Sequence, residues 1–104
     1  MQTATGGDFL SPSGNISCGV SLTRVYCQTD TPAQSVSMAG ITGTYTTCKG
    51  PDCLGNPEEG TPTLAYGTET GVGSFLCESA TTGVTCTTTG GKGFQISTSG
   101  IASV

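Results

Sequence analysis

The chain's six cysteines carry most of the chemistry it could do: Cys18, Cys27, Cys48, Cys53, Cys77 and Cys86, in 104 residues without a single histidine. A Cys–His zinc site is therefore impossible, and the spacing lacks the paired C-x-x-C knuckles of a thiolate site. So short a cysteine-rich chain reads as a disulfide framework made in an oxidising compartment. CKGPDC (48–53) could be a redox pair, but a reactive dithiol is spaced C-x-x-C at a helix start. Here four residues intervene, one of them proline. A structural staple is the plain reading.

The missing histidine also removes the usual general base and the serine triad. A hydrolase would need a Ser–Lys or paired-carboxylate arrangement, yet Lys49 and Lys92 stand in glycine-rich turns. Glu58 and Glu59 could act as an acid pair or, with Asp52 and Asn56, offer oxygen ligands to Ca²⁺. No D-x-D-x-D-G spacing accompanies them, and adjacent acids in a Pro-Gly loop are ordinarily just solvated. Gly90-Gly91-Lys92-Gly93 has neither the spacing nor the helix of a phosphate loop and reads as a hairpin turn. Asn15-Ile16-Ser17 is a formal N-glycosylation sequon, meaningful only in a eukaryotic host.

The candidates for binding are Tyr26, Tyr45, Tyr66 and Asn15. Tyrosine gives rigid, amphipathic contact area suited to interfaces. Its plainer role is to fill a core short of large residues, and at least two of the three are expected to do so. Asn15 sits in SPSGNISC (11–18), where Pro12 fixes φ, Ser13-Gly14 supplies a turn and Asn15 can bond nearby backbone. Turn chemistry suffices to explain that stretch. No catalytic residue, metal or cofactor is expected.

The elements that must hold these residues come from an internal repeat. Cys18 and Cys27 are nine positions apart, as are Cys77 and Cys86, and VYCQT (25–29) matches VTCTT (84–88) at a constant offset of 59. Each unit reads as a β-hairpin, about 15–29 and 74–88, turning near Ser21–Arg24 and Ala80–Gly83. Gly83 stands where a bulged turn wants positive φ. So short a loop brings each pair within bridging distance. The favoured pairing is Cys18–Cys27 and Cys77–Cys86, leaving Cys48–Cys53. A rival in which the two hairpins are cross-linked to each other stays open. Further strands are expected around Gly7–Ser11, Met38–Thr46, Pro62–Tyr66 and Gly93–Thr98, and residues 49–63 form the longest unpatterned stretch.

Composition bounds the rest. Seventeen glycines, eleven serines and twenty threonines leave only 23 Val, Ile, Leu, Met, Phe and Tyr residues. The core is thin, and β-branched threonine favours strands. The fold class is all-β: a small disulfide-stapled sandwich or barrel of short antiparallel strands. One domain spans 1–104, with an ordered core at 7–98 and an acidic loop at 49–63. Three basic and seven acidic residues give a net charge of −4. Arg24, Lys49 and Lys92 are too scattered to neutralise a row of phosphates, so nucleic acid is set aside. No run approaches a membrane span. The opening MQTATGGDF has no signal-peptide character, and the chain is expected to be a mature domain with an added Met1.

The ordered series SPSGNI-x-C, L-x-YG (64–67), F-x-C (75–77), GVTC (83–86) and GKGF-x-IS (91–97) resembles a family of small exported, disulfide-bonded proteins of mycobacteria and other actinobacteria. The resemblance runs from about Phe9 to Ser97 and is weakest in the acidic middle segment. It implies an extracytoplasmic location and a disulfide-bonded β-domain, and it carries over no catalytic residue. The expected function is that of a non-catalytic exported module that binds another envelope or secreted protein, or serves as an accessory subunit. Homo-oligomer formation through sheet edges fits the same composition. A carbohydrate- or glycolipid-binding module is the alternative, ranked lower because there is no tryptophan, and a histidine-free hydrolase is third.

Overall fold

The computed structural model describes residues 7–40, 42–55 and 61–104. It is all-β, with ten strands in two five-stranded antiparallel sheets and one short 3₁₀ turn, Pro51–Cys53. The first sheet is a meander in sequence order: β1 (Gly7–Leu10), β2 (Ile16–Val20), β3 (Arg24–Thr29), β4 (Gln34–Ala39) and β5 (Tyr45–Lys49). The second is also a meander: β6 (Glu69–Val72), β7 (Phe75–Ala80), β8 (Gly83–Thr88), β9 (Gly93–Ser97) and β10 (Gly100–Ser103).

The offset of 59 is thus the trace of a structural duplication. Cys18 opposes Cys27 across β2–β3, and Cys77 opposes Cys86 across β7–β8. In both hairpins alternation turns the cysteines and their flanking apolar residues inward. Ile16, Cys18 and Val20 face the core from β2, and Phe75, Cys77 and Ser79 from β7. The similarity reaches further than the cysteines. Cys27 pairs with Val36 on β4 as Cys86 pairs with Phe94 on β9, and Val25 pairs with Met38 as Val84 pairs with Ile96. These residues, with Phe9 and Leu64, form one buried cluster between the sheets.

Three disulfides staple the fold: Cys18–Cys27, Cys77–Cys86 and Cys48–Cys53. The first two lie at the centre of the core, and the third is a surface clasp at the end of β5.

Two strand expectations are corrected. Met38–Thr46 is not one strand: β4 ends at Ala39, and positive φ at Gly40 and Gly43 turns the chain before β5 begins at Tyr45. Pro62–Tyr66 is not a strand either. It makes one isolated bridge, Leu10 with Thr63, and the strand lies further on at Glu69–Val72. The second sheet also continues past residue 98 with β10. At Gly83, φ is +131°, and a Cβ there would stand 2.3 Å from the Ile96 carbonyl oxygen. The loop itself is Thr81–Thr82, so Gly83 is required by the close approach of β9 within the ladder.

Candidate functional site

The crossover from β5 to β6 decides which surfaces stay open. It starts at the β5 edge, clasped by Cys48–Cys53, and reaches the β1 edge, where Leu10 N–H donates to Pro62 O and Leu64 N–H donates to Leu10 O. Cys53 and Gly55 of this crossover lie against the outward face of β3. There the Tyr26 hydroxyl shares its proton between Cys53 O at 2.8 Å and Gln28 Oε1 at 2.9 Å. Gln28 Nε2 donates to Gly55 O, and Gly55 N–H donates to Gln28 Oε1, each at 2.8 Å. Tyr26 is therefore turned away from the core and spent on tethering the crossover. Asp8, Ser17, Gly19 and Thr61 edge a hollow of about 130 Å³ beside this tether.

Tyr45 is spent as well. Its ring meets Phe94 edge-on at 5.8 Å between centroids, and its hydroxyl lies 2.6 Å from Ser103 Oγ, joining β5 to β10. Tyr66 is the most exposed of the three, at 44 %. Asn15 uses both ends of its amide on one residue: Oδ1 accepts from Thr31 N–H, and Nδ2 donates to Thr31 O, both at 2.9 Å. It imitates a strand pair and locks the β1–β2 turn to the β3–β4 turn. Within SPSGNISC, Gly14 (φ +77°) closes the turn by donating its N–H to Ser11 O.

Tyr66 and Asn15 nonetheless meet in one place. A groove of about 560 Å³ opens at one end of the sandwich, walled by the β1–β2, β7–β8 and β9–β10 turns. It is lined by hydroxyl-bearing residues such as Ser13, Thr81, Thr82, Thr98 and Ser99.

The outward face of the β6–β7 hairpin is different in character. Glu69 stands directly opposite Glu78, and Gly71 opposite Leu76. All four share one face of the sheet. Like charges opposed across strands repel, and among the described residues neither carboxylate has a basic partner. Leu76 is 40 % exposed beside Gly71. At the tip of the same hairpin Leu22, 75 % exposed, rests on Gly73. Strand alternation about Cys77 would have turned Leu76 and Glu78 outward from sequence alone, but their opposition to Gly71 and Glu69 needs β6, which has no clear strand pattern.

The Sγ atoms of Cys18, Cys27 and Cys86 lie within 4.8 Å of one another. All three are tied up in disulfides, and a disulfide offers no thiolate. Asp52 is exposed in the 3₁₀ turn, whereas Asn56, Glu58 and Glu59 lie outside the described residues, so the Ca²⁺ reading is not placed. Three disulfides fit an oxidising environment, and among the described residues no helix is long and apolar enough to cross a membrane. No family model, curated protein or solved structure matches the chain.

Proposed function

We propose that the protein is a non-catalytic exported module that binds another envelope or secreted protein through the outward face of the β6–β7 hairpin. The carrying observation is the quartet of Glu69, Glu78, Gly71 and Leu76, with Leu22 at the hairpin tip. An exposed leucine set between glycine and two uncompensated carboxylates fits a partner that brings one apolar side chain and one basic group. The two would sit about 7 Å apart, two residues along a strand. The apolar contact would supply affinity and the charge pair orientation and on-rate. Cys53 and Gly55 of the crossover cover part of the first sheet's outward face, whereas Glu69, Leu76 and Glu78 on the second are exposed. Against catalysis stands the absence of histidine, the usual general base. The exported setting draws on the disulfides and on the resemblance of the SPSGNI-x-C series.

The test is crosslinking in the native organism with wild type, Leu76→Ser and Glu78→Lys, followed by mass spectrometry. A partner crosslinked by wild type, lost with both variants and weakened by salt, is the expected result. A partner retained by both variants, or none at all, overturns the proposal.

A further inference from the structure

The groove at the end of the sandwich is separate from the hairpin face, and its chemistry is different. Its volume, about 560 Å³, falls within the roughly 300–1,000 Å³ of small-ligand sites. None of its lining residues is Asp, Glu, Lys or Arg. A charged ligand would lose water there and gain no counter-charge.

What the groove offers is hydroxyl groups and one aromatic ring. The side chains of Thr81, Thr98, Ser99 and Tyr66 line it, and their hydroxyls have no hydrogen-bond partner among the described residues. Ala80 and the exposed ring of Tyr66 add an apolar surface. Hydrogen bonds tie these walls to neighbouring elements. Asn15 clamps two turns together, Gln95 Nε2 donates to Thr82 Oγ1 at 3.4 Å, and Gln34 Nε2 donates to Ser97 O at 2.9 Å. Preordered walls lower the entropy cost of binding.

A ligand that matches neutral hydroxyls on one side and an aromatic ring on the other has polar edges and an apolar C–H face. A saccharide ring has both. We propose that this groove binds a neutral saccharide, with the sugar face on Tyr66 and its hydroxyls on Thr81, Thr98 and Ser99. The site is independent of the β6–β7 docking face, so either can fail without the other.

The probes are neutral oligosaccharides (glucan, mannan, galactan and arabinan fragments), with polygalacturonate and heparin fragments as charged counterparts. Binding is followed by amide chemical shifts of the isotope-labelled, fully oxidised protein. The expected result is saturable shifts confined to residues 11–16, 66, 80–83 and 95–99 with at least one neutral probe. Tyr66→Ala should weaken that binding about tenfold, and Thr98→Ala should weaken it less, both with the three native disulfides intact. Leu76→Ser should leave it unchanged. The proposal is overturned if no neutral probe shifts these amides at millimolar concentration, if charged probes bind more tightly, or if Tyr66→Ala binds as well as wild type.

Discussion

The Sγ atoms of Cys27 and Cys86 lie 3.9 Å apart across the two sheets, although each is bonded within its own hairpin. The duplicated hairpins thus meet disulfide against disulfide at the centre of the core. Hairpin-local and sheet-to-sheet pairings are close alternatives in space, and within this fold the local partners are the direct cross-strand neighbours.

That proximity makes a sharp prediction. In the double variant Cys18→Ala, Cys77→Ala, the remaining Cys27 and Cys86 need close their gap only to the ~2.05 Å of a disulfide. Under air oxidation they are expected to join each other, giving a single sheet-to-sheet bond. Non-reducing peptide mapping checks this: a peptide linking Cys27 to Cys86 is expected, and two free, alkylatable thiols in a folded protein would refute it. Wild type should yield only Cys18–Cys27, Cys48–Cys53 and Cys77–Cys86 peptides.

The duplication also locates a defect. Ser79 is the counterpart of Val20, since it pairs with Val84 as Val20 pairs with Val25. Its hydroxyl is fully buried without a hydrogen-bond partner. An unsatisfied buried hydroxyl costs about 1–3 kcal/mol, and Ser→Ala removes it with little loss of volume. Ser79→Ala is therefore expected to raise stability by about 1 kcal/mol in urea unfolding, with an unchanged m-value. A destabilised Ser79→Ala would mean that the hydroxyl is satisfied in solution.

Gln28 is one of the tethers that hold the crossover to the first sheet: its amide both accepts from and donates to the backbone of Gly55. Gln28→Ala should cost about 1–3 kcal/mol, because it removes two hydrogen bonds that contribute about 0.5–1.5 kcal/mol each. Its signature is local: hydrogen exchange at Gly55 should accelerate far more than at the buried β8 amides. Tyr26→Phe removes one shared proton and should cost about 1 kcal/mol. Equal acceleration everywhere would mean that the crossover is no separate unit.

What could be read from sequence followed from repetition and alternation. The hairpins around Cys18–Cys27 and Cys77–Cys86 were legible because Val-x-Cys-x-Thr occurs twice at one spacing, and the all-β class followed from threonine and glycine. β6 was hidden: ETGV holds a charge and a glycine, and only its ladder with β7 makes it a strand. Gly40 and Gly43 inside 38–46 were breakers in plain view. The roles of the tyrosines were not legible, since their partners, Cys53 O, Phe94 and Ser103, lie far along the chain. Nor was the groove, which is assembled from turns of both repeats and a residue of the crossover.

Glu69 and Glu78 give the last prediction, because stability and binding should move in opposite directions. Opposed like charges weaken a strand pair, and an opposite-charge pair at the same site contributes about 0.2–1 kcal/mol. Glu78→Lys places an ammonium opposite Glu69 and should stabilise the isolated protein by roughly that amount at low ionic strength. The gain should shrink as salt screens the pair, over a Debye length of about 10 Å at 0.1 M. The same substitution should weaken a basic partner, whose charge would now meet a lysine. A calorimetric scan of wild type and Glu78→Lys at two salt concentrations measures the first effect, and the crosslinking comparison measures the second. If Glu78→Lys is less stable at low salt, the two carboxylates are not opposed as described. If it is more stable yet keeps its partner, the hairpin face is not where the partner docks.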